Sequence, residues 1–138
     1  MTVKEFLQRG KNLNVEAEQL KSAKKRAWDM ACGITVSTES EKVQTSTDNS
    51  MEKKMIEYAE FSKMLDIKIA ELIEHQKKML QIINKIENTT YRTLLIARYI
   101  NCKTWEQIAE DMGYSDVWVR TSLHGRALAE CGKYFNEI

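Results

Sequence analysis

Between Ser115 and Arg126 the chain carries side chains that suit recognition rather than catalysis. At 100° per residue, Val117, Trp118, Thr121, His124 and Gly125 fall on one side of a helix, and Val119, Leu123, Ala127 and Glu130 on the other. Arg120 and Ser122 lie on the flanks. On the outward side, Val117 could touch a thymine methyl, and Arg120 and Thr121 could reach base edges or phosphate. Arg126 with Lys103 could hold the phosphate backbone, an outward His124 joins the same face, and Thr104 and Ser115 at the two helix starts complete the candidate DNA-binding set. Trp118 has two readings. An exposed tryptophan is a binding anchor of the kind enriched in protein interfaces; folded against Tyr114 or Trp105, it is peripheral core.

Two short helices must position that face. Thr104 can cap the first, and Gln107, three residues on, can return a hydrogen bond to its backbone N–H, which makes a capping box. Gly113 stops this helix; Ser115 can cap the next, and Asp116 sets a negative charge at its positive end. Ile108, Ala109 and Met112 on the first helix can close against Val119, Leu123 and Ala127 on the second. This is a helix-turn-helix, whose second helix can enter a major groove about 12 Å wide. Two capped amphipathic helices are also the unit of an ordinary helical bundle, so both readings stand.

The rest of the chain predicts an all-α fold. Among 138 residues there is no proline, only five glycines, and 30% of residues are charged, a balance that favours long helices. Residues 1–33 form an N-terminal helical region: a short segment around Val3, Phe6 and Leu7, a break near Gly10 to Asn14, and a second segment to about Cys32 with Lys21, Lys24, Lys25 and Arg26 in its middle. Residues 34–50 are a Ser/Thr-rich connection, after which Asn49 with Glu52 signals a new helix start.

Residues 51–88 carry the longest regular pattern. Met51, Met55, Tyr58, Ser62, Leu65, Ile69, Leu72, Gln76, Met79, Ile83 and Ile86 recur alternately every four and three residues. That is a heptad seam on a helix about 54 Å long, which must meet the N-terminal helix folded back, a second copy of the chain, or both. Asn88-Thr89-Thr90 then breaks it and caps a helix that ends near a left-handed Asn101. That helix would complete a tri-helical head over residues 89–138, giving a long helical hairpin or coiled-coil arm plus a helix-turn-helix domain.

Function classes narrow accordingly. Cys32, Cys102 and Cys131 include no Cys-x-x-Cys pair and, with His75 and His124 far apart, suggest buried or half-buried thiols rather than a metal site or disulfide framework. No catalytic motif, cofactor loop or metal-ligand pattern is present, so no enzyme, cofactor or metal is expected. The first residues hold no signal-peptide-like stretch and no run approaches the roughly 20 apolar residues that span a bilayer, so a cytoplasmic protein without membrane association is expected. Residues 90–138 carry six basic and six acidic side chains, and that neutrality favours a protein-docking role over nucleic acid.

Three stretches, Tyr91–Ile100, Thr104–Ser115 and His124–Leu128, resemble the C-terminal half of a family of short phage and prophage proteins, mostly of unknown function, whose C-terminal part is similar to region 4 of bacterial sigma factors. The resemblance extends upstream through a lysine-rich N-terminal helix, a Ser/Thr-rich connection and a long helix. It implies a transcriptional regulator that binds duplex DNA, with RNA polymerase as a further partner and Asp116, Val117, Trp118, Arg120 and Thr121 at the promoter-reading positions. Nothing matches the sigma regions that bind melted DNA, so an accessory regulator is implied. The competing expectation is a helical interaction or assembly module, docking on polymerase, a phage protein or a second copy through the long helix, without direct DNA contact.

Overall fold

The computed structural model describes residues 1–33 and 48–136, all of them in helices and their connections. The Ser/Thr-rich stretch therefore lies outside the described residues except at its last three positions. The helices are α1 (Val3–Ala31), α2 (Asp48–Ile83), α3 (Thr89–Leu95), α4 (Trp105–Met112), α5 (Asp116–Trp118) and α6 (His124–Phe135). Among the described residues no helix is long and apolar enough to cross a membrane.

Helix α1 opens on a capping box: the Thr2 hydroxyl accepts from the Glu5 N–H at 3.1 Å and the Glu5 carboxylate accepts from the Thr2 N–H at 2.8 Å. It then runs unbroken through Gly10 to Asn14, against the expected break. The reason lies in packing. Gly10 is buried, and a Cβ there would overlap the Sδ of Met79 and lie 3.2 Å from the His75 ring, so the glycine lets two helices approach closely. Helix α2 already includes Asp48, so Asn49 is inside the helix rather than its cap.

The chain divides into two compact units. One comprises residues 1–14 and 71–138. Phe6, Leu7, Met79, Ile82, Ile83, Ile86, Leu94, Leu95 and Tyr99 share its core with Ile108, Ala109, Val119, Leu123, Ala127 and Cys131. Full burial of each large apolar side chain contributes about 1.5–3 kcal/mol against leaving it in water, so this cluster is what holds the short helices in place. Asn88 caps α3 as its composition predicts, its side-chain oxygen accepting from Thr90 N–H at 2.9 Å and Tyr91 N–H at 3.2 Å.

The other unit, residues 15–70, pairs part of α1 with part of α2. The pairing is antiparallel: Trp28 meets Tyr58 with ring centroids 5.0 Å apart, and Glu16 meets Lys68 at 3.6 Å. Lys24 adds a cation–π contact, 5.6 Å from the Tyr58 ring. The hairpin is thus realised, although Met51, Met55 and Ile69 of the heptad seam stay exposed. Among the described residues its core is thin: Ala17, Ala31 and Leu65 are the buried apolar ones in this stretch.

Two π-turns interrupt the helices of the first unit. After α3, residues Ile96–Ile100 close with the Asn101 N–H donating to Ile96 C=O; between α5 and α6, Val119–Leu123 close with the His124 N–H donating to Val119 C=O. Each i→i+5 turn takes in about one residue more than an α-turn. The first delays the left-handed residue from Asn101, where it was expected, to Cys102 (φ 55°). The second joins α5 and α6 through right-handed helical backbone, so Asp116–Phe135 acts as one helix with a shifted register.

Candidate functional site

The turn that presents the second helix is built as its local residues dictate. The Thr104 hydroxyl accepts from Gln107 N–H at 3.2 Å while the Gln107 side chain accepts from Thr104 N–H at 2.9 Å. Gly113 adopts φ 77°, a left-handed conformation that glycine takes without steric cost, and its N–H donates to Ala109 C=O. Ser115 then caps α5, its hydroxyl accepting from Trp118 N–H at 3.2 Å. Thr104 and Ser115, both expected to face nucleic acid, have cap oxygens engaged inside the protein.

Val119, Leu123 and Ala127 are buried against α4 and its neighbours, as the helical wheel predicts. On the other side Val117 is 56% exposed, Trp118 38% and Tyr114 45%, and Arg120, Thr121, Gly125 and Arg126 are exposed with them. The side chains are mutually arranged. Asp116 lies 3.7 Å from Arg120, the Arg126 guanidinium sits 5.1 Å from the centre of the Trp118 ring, and the Thr121 hydroxyl donates to Val117 C=O. The Asp116–Arg120 pair is half exposed, so it contributes little and leaves the guanidinium available. Lys103 lies at the start of α4 with its ammonium 2.9 Å from Asp111.

His124 is the correction. Expected on the outward face, it is only 9% exposed, with its Nε2 2.7 Å from the Tyr99 hydroxyl, and its ring meets the Trp105 edge at 4.7 Å. The π-turn explains this. Its extra residue turns everything after Leu123 back by roughly 100°, which carries His124 and Cys131 onto the buried side and keeps Ala127 there. The 3-4 spacing of His124, Ala127 and Cys131 is the signal the wheel missed, because His124 and Cys131 join the Val119–Leu123–Ala127 stripe only if one residue is inserted. Burial, with Lys4 and Arg98 adding repulsion, pushes the His124 imidazolium down from 6.5 to about 4, and burial lifts Tyr99 above its ordinary range and Cys131 to about 11.

Trp105 is held between that histidine and Arg98, whose guanidinium lies 4.1 Å from its ring centre and donates to Lys103 C=O at 3.0 Å. Trp118 is therefore left at the surface rather than closed into the core. Of the thiols, Cys131 is buried and Cys102 half-buried as expected, but Cys32 is exposed. No group of three metal-ligating side chains is found among the described residues.

A family model described as a protein of unknown function, DUF1492, matches residues 34–124. The chain belongs to this family. Neither a curated protein nor a solved structure matches it. The DUF1492 match covers α2, α3, α4, α5 and the π-turn as far as His124, so the shared region includes the exposed Val117, Trp118, Arg120 and Thr121 and stops where the register shift takes effect.

Proposed function

We propose that this DUF1492 chain is an accessory transcriptional regulator of phage or prophage type that lays the outer face of its Asp116–Phe135 helix in the major groove of duplex DNA. The observation that carries the reading is the division of that helix. Val119, Leu123 and Ala127 anchor it, while Val117, Arg120, Thr121 and Arg126 stay exposed on a turn capped by Ser115. Val117 and Thr121 offer methyl groups to thymine, Arg120 reaches bases, and Arg126 and Lys103 reach phosphate. His124 is no part of that surface; its role is to fill the core behind it. The likeness to sigma region 4 adds RNA polymerase as a second partner.

The test is binding to duplex fragments from the surrounding operon across a series of salt concentrations. Affinity should fall as salt rises, and Arg120→Ala should weaken it by about tenfold on the favoured sequence. Affinity indifferent to salt and to Arg120→Ala and Thr121→Ala contradicts the proposal.

A second reading rests on the exposed apolar triplet Tyr114, Val117 and Trp118 in a neutral segment: the same face docks on protein, with RNA polymerase first in line. Polymerase capture lost on Trp118→Ala, with no DNA binding by the wild type, selects this reading. Capture unchanged by that substitution removes it.

A further inference from the structure

Within residues 15–70, an open groove runs along one side of the α1/α2 pair. It is lined by the apolar Ala23, Ala27, Met30 and Phe61 and the charged Arg26, Lys54 and Glu57. Beside it Met64 is 53% exposed on α2. The small alanines leave room for a helix, and the described residues of the unit bury too few apolar side chains to account for an apolar lining open to water. Charge decides what fits there. Glu57, Phe61, Met64 and Lys68 recur on α2 at spacings of four, three and four, and fall within about 60° of one another around the helix.

Read backwards, that stripe is complementary to itself. In an antiparallel pair centred between Phe61 and Met64, Glu57 meets Lys68 of the second copy, Phe61 meets Met64, and both contacts occur twice. A parallel pair would oppose Glu57 to Glu57 and Lys68 to Lys68, which is repulsive. We infer that the groove is the isologous interface of a homodimer, in which α2 of each copy seats antiparallel against the α1/α2 pair of the other to form a four-helix bundle. Lys68 already contacts Glu16 at 3.6 Å, and an ammonium with three donors can bridge that carboxylate and the Glu57 carboxylate of the second copy. The inference stands apart from the DNA reading.

Sedimentation velocity on the full chain, from low to high micromolar, tests it. The wild type should run as a concentration-dependent dimer. Met64→Glu, at an exposed site that leaves the folded monomer intact by circular dichroism, should raise the dissociation constant by roughly 100-fold or more, because it sets two buried carboxylates against Phe61. Glu57→Lys and Lys68→Glu should each weaken the dimer, and the double variant should restore it; rescue is the signature of antiparallel register. A wild type that stays monomeric at every concentration overturns the inference and leaves the groove to a different chain. A dimer unaffected by Met64→Glu, or singly weakened variants with no rescue in the double, overturns this interface.

Discussion

Residues 1–14 and 71–138 close on one cluster of fifteen buried side chains, whereas among the described residues of 15–70 the buried apolar ones are Ala17, Ala31 and Leu65, and Trp28, Met30, Met51, Met55, Ile56, Met64, Ile67 and Ile69 are exposed. Both units are helical and come from the same two long helices, so the difference does not lie in propensity. It lies in how many faces of each helix are covered. The four short helices α3–α6 pack with α1 and α2 in the first unit; among the described residues of the second, α1 and α2 pack on each other. The first unit can hold a recognition surface rigidly by itself, and the second calls for a partner.

Core truncation should separate the units most sharply. Leu95→Ala removes a side chain with no exposure from the dense cluster and should cost about 3 kcal/mol, lowering the thermal midpoint, whereas Ile67→Ala on the exposed side of α2 should stay within about 0.5 kcal/mol in the monomer. Thermal unfolding of both variants checks this, and equal losses would erase the distinction.

The pH dependence should follow from His124. Its folded-state pKa, about 4, lies below the 6.5 of the free group. The unfolded chain therefore binds the extra proton first, and stability is lost as pH falls from about 6.5 towards 4, by roughly 2 kcal/mol after discounting for solvent at the site. Unfolding midpoints taken across that range should show the slope in the wild type and lose most of it in His124→Gln.

Two helical glycines should respond with opposite signs. Gly10→Ala drives a methyl into buried Met79 and should destabilise by about 1–2 kcal/mol. Gly125→Ala meets no atom within 4 Å and should stabilise by about 0.5–1 kcal/mol through helix propensity alone. Denaturant midpoints would show the reversal. Thr104→Ala, which removes half of the capping box, should cost about 1 kcal/mol.

What could be read before any coordinates was local or periodic. Asn88, Thr104, Gln107, Gly113 and Ser115 act within four residues of themselves, and their caps and stop follow from side-chain chemistry alone. The heptad seam of α2 is a periodic signal, and it correctly demands a covering helix. The errors came from effects that no local window contains. Gly10 reads as a helix breaker until Met79, from far along the chain, occupies the space its missing side chain leaves. His124 and the left-handed residue expected at Asn101 were misplaced because constant rotation was assumed, and each π-turn adds a residue that only packing against Tyr99, Leu95 and Val119 makes worthwhile. The outward character of Val117, Trp118, Arg120 and Thr121 survived because these residues precede most of the register shift.

The most direct measurement is backbone amide NMR of the labelled protein titrated with an operon duplex. The account predicts salt-sensitive shift changes concentrated at residues 116–126 and at Lys103, with residues 15–33 and 48–70 unmoved. A titration that leaves 116–126 unperturbed, or that perturbs mainly the α1/α2 unit, contradicts it.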